Sequence, residues 1–509
     1  MASAPKIRPR AGWRPAPTLA LALATGCAAS AVATMSRGQE LQLPTILRPG
    51  SVTPEIVDGP NPYRLRRAPQ DPALLPRTRA TPPNPTRKSV QPAARGAEAA
   101  LRVQPAPLRR LGAPALTEPA PPPPRPKIVE TDPWAPTGLR LGGFTVRPAM
   151  DVDAGYDSNP NRLRSGAKGS AFVRPGAEVA VESNWPTHSF QGLLRGSYSA
   201  YGSVESANRP EAEARGDWRF DMTRSTQLVA QGRFRLDTQS PQTTNLPFIT
   251  ASRPLTWRYG GTIGVDHTIN RVTFGLRGLF DRFTFEDAPL PGGGSVDQSD
   301  RNYNQPGATL RATYELTPSV RPFVEGKIDA RLHDRRIDDS GFARDSNGVG
   351  ARVGTTLDVN RTLTGEASVG YEQRRYDDSR LADLRGIVGD VSLIWSATPL
   401  TKIGLRGQST LDETTVPGVS GVVTRKATVE IAHAFLRNLT LTASGSFQRA
   451  DYRGDSLTED TLTGTVRLDY KLSRTVAVRA SYSHERLKSS APGGDYTANI
   501  FMVGLRLQR

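Results

Sequence analysis

The chain has a single cysteine, Cys27, among 509 residues. It falls inside a candidate export segment, so the exported chain keeps none, which excludes structural disulfides and thiolate metal sites. A cysteine-free chain suits an oxidising compartment. Long apolar runs are also missing: no stretch approaches the roughly 20 apolar residues that a membrane helix requires. Histidine is scarce, with His188, His267, His333, His433 and His484 only, and no His/Cys cluster has metal-ligand spacing. Hydrophobic residues make up only 37% of the chain. That low figure does not exclude a membrane barrel, whose strands are only half apolar.

What is present is a period of two. In "LTGTVRLDYKLSRTVAVRASYS", Leu462, Gly464, Val466, Leu468, Tyr470 and Leu472 alternate with Thr463, Thr465, Arg467, Asp469 and Lys471. After Ser473-Arg474 the pattern restarts, with Val476, Val478, Ala480 and Tyr482 against Arg479, Ser481 and Ser483. Such alternation marks a strand with one oily and one wet face.

The formal charge of +17 is unevenly placed. Residues 1–140 hold 20 Lys and Arg against 8 Asp and Glu, and the remainder 46 against 41. The basic excess therefore sits in Pro-rich sequence at one end, and elsewhere Arg is balanced by acids. Nucleic acid is not an expected partner on that distribution.

Three segments follow. Residues 1–33 read as a cleaved signal peptide: Lys6, Arg8, Arg10 and Arg14 precede "TLALALATGCAASAVA", which ends in the small-x-small pattern Ala31-Val32-Ala33. Met35 is an alternative start. Residues 34–138 hold about half of the 43 prolines. Proline fixes φ and lacks an amide donor, so neither helix nor sheet can run through. This predicts a disordered, basic periplasmic tether, either a plain spacer or an arm for an anionic periplasmic partner.

Residues 141–509 carry recurrent short turn signals: Asn184-Trp185-Pro186, Thr223-Arg224, Asn270-Arg271, Thr317-Pro318, Asn360-Arg361, Thr398-Pro399, Arg437-Asn438 and Ser473-Arg474. From the second onward they lie 36 to 47 residues apart, room for two long strands and a loop. Between them lie polar stretches such as "DSNPNRLRSGAKG" and "EDAPLPGGGSVDQSDRN". Short turns alternating with long loops are the pattern of outer-membrane barrels. The expected fold is all-β, a transmembrane antiparallel up-and-down barrel of 16–18 strands. Aromatics are expected in two belts: Trp218, Phe220, Trp257, Trp395, Phe435 and Tyr470 beside short turns, and Tyr156, Phe234, Tyr452 and Tyr482 by long loops. A soluble sheet would also alternate, but with strands of about 5–6 residues.

At Gly155 the sequence reads "GYDSNPNRL", following the alternating stretch "FTVRPAMDVDAGYD". A first strand running into Gly-Tyr-Asp-Ser-Asn resembles the outer-membrane beta-barrel porins of the type 2 family, and the likeness extends over 141–509. The resemblance implies an outer-membrane barrel, linked in some members to surface-polysaccharide systems, and no catalytic residues. Outer-membrane barrels often end on an aromatic residue read by the assembly machinery; here "NIFMVGLRLQR" ends on Arg509.

No constellation for catalysis emerges. His267 and His433 fall on the apolar parity, and His333, followed by Asp334 at a loop mouth, reads most simply as a solvated residue without a positioned partner. "GDSLTED" places Ser456 in a loop, without a nucleophile elbow. Function is expected in the lumen. On the inward parity lie Arg195, Arg219, Arg233, Arg235, Arg277, Arg311, Arg331, Arg352, Arg406, Arg467 and Arg479. With them lie Asp217, Asp221, Asp281, Glu325, Asp329, Glu366, Asp390, Glu430 and Asp469. They form either a wall of mutually satisfied charges or an arginine ladder for anionic solutes or saccharides. The sequence thus predicts a passive pore for small polar solutes, needing no cofactor or metal, with membrane lipid and the barrel-assembly machinery as partners. The alternatives are a component of polysaccharide export or surface assembly, and a closed structural barrel.

Overall fold

The computed structural model describes residues 133–239, 250–359 and 362–509. The expected signal peptide, and the expected tether except for its end, lie outside the described residues. Eighteen long strands form the body: β1 (Phe144–Asp157), β2 (Ser170–Ser183), β3 (Ser189–Tyr201), β4 (Arg209–Asp221), β5 (Thr226–Thr238), β6 (Leu255–Ile269), β7 (Val272–Phe285), β8 (Tyr303–Tyr314) and β9 (Val320–His333). They continue as β10 (Ser346–Val359), β11 (Leu363–Tyr376), β12 (Leu384–Thr398), β13 (Thr401–Asp412), β14 (Gly421–Leu436), β15 (Leu439–Arg453), β16 (Thr458–Lys471), β17 (Val476–Ser489) and β18 (Tyr496–Gln508). At 12 to 16 residues all exceed the 9–11 needed to cross a bilayer at a tilt.

Each strand pairs antiparallel with its sequence neighbours. The sheet closes where β18 returns to β1, in register from Ala149↔Gln508 to Asp157↔Ile500. Closure leaves no open edge, which is what allows a sheet to satisfy its backbone in hydrocarbon. A three-residue strand, Leu139–Leu141, folds back on the start of β1.

Seven of the expected turn signals are short connections among the described residues, and Asn360-Arg361 lies outside the described residues. Four share one device. The hydroxyl oxygens of Thr223, Thr317, Thr398 and Ser473 each accept the amide of the residue three positions on, at 3.0, 3.0, 2.9 and 3.0 Å. A Ser or Thr side chain thereby replaces a backbone acceptor in the turn. Asn270 takes φ 54°, the left-handed conformation that Asn tolerates and a branched residue resists.

The outer face carries the apolar parity. Ile263, Val353, Ile387, Val466 and Val503 are among its exposed residues. Burying one such side chain is worth roughly 1.5–3 kcal/mol, so a ring of them in water would be untenable, whereas lipid accepts it. At the short-turn end, Phe144 packs on Trp185 and Phe190, and Phe190 on Trp218, with centroids 5.0, 6.0 and 4.9 Å apart. His267 and His433 join this rim on the outer parity, each bonded through Nδ1 to a threonine hydroxyl, Thr226 and Thr401, at 2.9 Å.

Two belt assignments are corrected. Trp257 lies near the start of β6, beside the long loop rather than a short turn. Tyr452 is on the inward parity of β15 and buried. Both errors arose from aromatics read by proximity to turns rather than by parity and strand direction.

Candidate functional site: the charged lumen

The inner parity is polar, and the register sorts its charges into levels. Arg311 on β8 stands opposite Glu325 on β9, which stands opposite Arg352 on β10. Glu366 on β11, opposite Thr356 in register, joins them through the reach of Arg311. Arg311 reaches Glu366 at 2.6 Å and Glu325 at 3.6 Å, and Arg352 reaches Glu325 at 2.5 Å. Charges of alternating sign thus cross four strands, and the guanidinium of Arg311 also lies 3.3 Å from the centroid of Phe323. Nearer the loops, Asp329 bonds Arg374 and lies 3.4 Å from Lys327.

Most of the other expected residues are paired too. Arg195 meets Glu213, Arg219 meets Asp221, Arg233 meets Asp281, Arg235 meets Asp237 and Arg467 meets Asp469, at 2.5 to 3.2 Å. Asp217 accepts from Arg215 and Gln231 at 2.9 and 2.6 Å. Arg277, fully buried, makes two bonds to Asp266 at 2.7 and 2.6 Å. Arg479 bridges Asp469 and Asp151, and Arg331 leaves the wall to meet Glu413 in the β13–β14 loop at 3.0 Å. Asp390, Arg406 and Glu430 occupy the inward faces of neighbouring strands β12, β13 and β14, with Glu430 buried. His333 is not the solvated, unpartnered residue expected: its side chain is buried, its Nδ1 3.2 Å from Asp345 and its ring against Tyr303.

In the loop-side half of the lumen the walls open into a cavity of about 620 Å³. Strands β4–β7 line one side and β13–β18 the other, with loop residues Arg162, Arg253, Arg301 and Glu413 projecting in. The Gly-Tyr-Asp-Ser-Asn segment builds part of it. Asp157, wholly buried, accepts the Asn159 amide at 2.9 Å and Arg162 Nη1 at 2.8 Å. Asn159 donates through Nδ2 to the carbonyl oxygens of Leu163 and Thr497. The motif therefore clasps the β1–β2 loop against β18 and aims Arg162 inward, where its Nε lies 3.1 Å from Glu485. Burial opposes the charge of Arg162, and Glu485 and Asp157 outweigh it, holding the guanidinium well above its ordinary value. The same loop presents the Pro160 carbonyl oxygen to Arg253, at 2.5 Å.

A strap joins two of the long loops. Arg344, in the β9–β10 loop, donates to the carbonyl oxygens of Thr414, Val416 and Val419 at 2.7, 3.2 and 3.0 Å, and to Asp338 at 2.5 Å. Val419 also belongs to a small apolar cluster with Val422, Ala450, Tyr452 and Leu457.

Sequence reading missed the cavity cations Arg162, Arg209, Arg253, Arg258, Arg301 and Lys426. Arg209, Arg258 and Lys426 lie on the inward parity and were legible in principle. Arg162, Arg253 and Arg301 belong to loops, where alternation gives no direction.

Among curated proteins, none matches this sequence. Solved structures with a related course include Pseudomonas aeruginosa OccK2 (OpdF), at 12% identity over 72% of this chain and 98% of that one, TM-score 0.39. Acinetobacter baumannii OccAB4 is 12% identical over 74% and 100%, TM-score 0.37. The copper transporter OprC is 10% identical over 73% and 81%, TM-score 0.40. At such identities and overlaps no property of those proteins transfers. The sequence profile of the family described as "Putative beta-barrel porin 2" matches residues 132–509, and the chain, an outer-membrane β-barrel with a porin-like channel, belongs to that family.

Proposed function

We propose that the chain is a passive outer-membrane pore whose charged inner wall lines the path of small polar solutes. One observation carries the reading: a closed 18-strand barrel presents apolar residues outward and ion-paired Arg, Asp and Glu inward. A barrel of this size is wide enough to hold water unless something fills it. Arg195, Arg219, Arg233, Arg352, Arg467 and Arg479, with their acidic partners, are the proposed wall. Since the charges are largely matched in sign, the wall alone favours polar solutes over one class of ion. Residues 1–33 are proposed as the export signal and 34–138 as the periplasmic tether, with the barrel-assembly machinery inserting the chain.

The Arg344-held strap favours a second reading, a barrel closed at rest that opens for a partner, as export of a saccharide would require. Reconstitution in a planar bilayer separates the two. Steady conductance from the isolated protein supports the open pore; insertion with heat-modifiable gel mobility but no current rejects it.

A further inference from the structure

In the lining of the loop-side cavity, cations outnumber acids. Among the described residues seven Arg and Lys line it against four Asp and Glu. Of the cations, Arg162 is met by Asp157 and Glu485, and Arg258 by Asp281, from outside the lining. Of the lining acids, Asp237 is engaged by Arg235, and Glu413 by Arg331 from outside the cavity. Arg301 makes no ion pair with a carboxylate among the described residues: it donates to two amide oxygens, Gln239 Oε1 at 3.0 Å and Gln298 Oε1 at 2.5 Å, and lies 4.0 Å over the ring of Phe285. Lys426 makes no hydrogen bond or ion pair among the described residues, and reaches the same space from the opposite wall. Arg253, buried, lines the same space, with the Pro160 carbonyl oxygen among the groups it meets.

We propose that this chamber binds the oxyanion group, carboxylate or phosphate, of a small solute within the pore, with Arg253, Arg301 and Lys426 as its principal ligands. The inference rests on the pore reading for its place in transport, and on the cavity alone for binding. The size fits: small-molecule sites span roughly 300–1,000 Å³. The chemistry fits as well. A guanidinium offers a planar fork that matches an oxyanion, while an ammonium adds a point charge. Phe285 gives an apolar face beside the charge. The electrostatics point the same way. Burial, then the neighbouring charges of Arg209 and Arg162, pull the Arg253 guanidinium down to about 9. Burial pulls Arg301 down to about 10 against the opposing pull of Asp300 and Glu413. An anion arriving among these cations relieves that strain, whereas a neutral sugar does not.

The test uses the full chain in detergent micelles, titrated by calorimetry with citrate, inorganic phosphate and, as neutral control, maltose. Saturable heat is expected with one or both anions and none with maltose; which anion binds more tightly identifies the group. The variant Arg253→Gln/Arg301→Gln/Lys426→Gln should weaken binding by at least about tenfold. Lys426→Gln alone, which removes no hydrogen bond and so spares the fold, should weaken it several-fold. Lys402→Gln, a lumen cation near the short-turn end, should leave it unchanged. No saturable anion binding, or equal binding by wild type and Lys426→Gln, overturns the site. Conductance is read in parallel. Binding without current upholds the site and rejects the pore; current without binding does the reverse.

Discussion

Arg506 Nη1 lies 3.1 Å from Asp151 Oδ2 and ties the last strand to the first. Arg479 on β17 also reaches Asp151, at 2.9 Å, and Arg506 continues to Glu178 on β2, at 2.6 Å. Four strands across the seam share this network. Asp151→Ala should therefore leave two arginines short of a partner, at a cost of about 1.5–3 kcal/mol, the range for hydrogen bonds to charged groups. Urea unfolding in micelles, followed by heat-modifiable gel mobility, measures it. An unchanged midpoint would remove the seam network from the account of closure.

A harder test is available inside the wall. The Arg277–Asp266 pair is buried on both sides. Arg277→Ala strands Asp266 and should destabilise by about 3–5 kcal/mol. Arg277→Met with Asp266→Leu should recover most of that loss, because two apolar residues need no partner. A double variant as unstable as the single one would show that the pair does more than satisfy itself.

The two faces of one strand should respond differently to the same residue. Leu405 on β13 is on the lipid parity, and Gln408 faces the cavity. Leu405→Arg should cost roughly 2–4 kcal/mol if it sits at the bilayer midplane, and Gln408→Arg little. Similar losses would invalidate the facing of β13.

The loops supply a pH prediction. Asp378 accepts from its near neighbour Arg380 and from the Ala343 amide at 3.1 Å, joining the β11–β12 loop to the β9–β10 loop. The Arg380 side chain, with the amides of Ala343 and Arg380, holds its carboxyl well below the ordinary 3.8. A carboxyl lowered in the folded state stabilises above the unfolded value and loses that contribution as pH falls through the folded one. The tie should thus persist at pH 4 and fail only in stronger acid. A side-chain NMR titration of Asp378 centred near 3.8 would contradict it.

The strap between the two loops can be released by one change. Arg344→Ala removes the donor to Thr414, Val416 and Val419. If the barrel conducts, mean current should rise and its fluctuations change in single-channel records; identical traces would mean that the strap does not obstruct the path.

Much of the fold was legible in the sequence because a barrel strand and a short turn are both local. The alternation of Leu462 to Tyr482 needs no distant contact, and Thr223, Thr317, Thr398 and Ser473 announce their turns by their own hydroxyls. Parity also put the wall arginines on the wet side. It could not say which of them meet. Arg311 and Glu366 lie 55 residues apart, and Arg162 and Glu485 323 apart. Nor does parity report crowding: Thr442 and Thr465 face inward yet are almost fully covered. The cavity was the least legible part, since Arg253 and Arg301 are placed by loops whose course depends on remote partners such as the Pro160 carbonyl.

The hydroxyl-capped turns bear on the order in which the molecule is made. A hairpin joined by a capped turn sets its own register from adjacent residues, and each is a low-contact-order unit. The meeting of β1 with β18 is different in kind, since Asp151 and Arg506 are 355 residues apart. Closing a loop of that length costs about 4 kcal/mol more in chain entropy than closing a four-residue turn. Ribbon growth by neighbouring hairpins, with the terminal strands joining last, is therefore the cheap route to this cylinder. Faults in the chain are accordingly divided: those in turns should slow the ribbon, and those at Asp151 or Arg506 should leave a finished ribbon that does not shut.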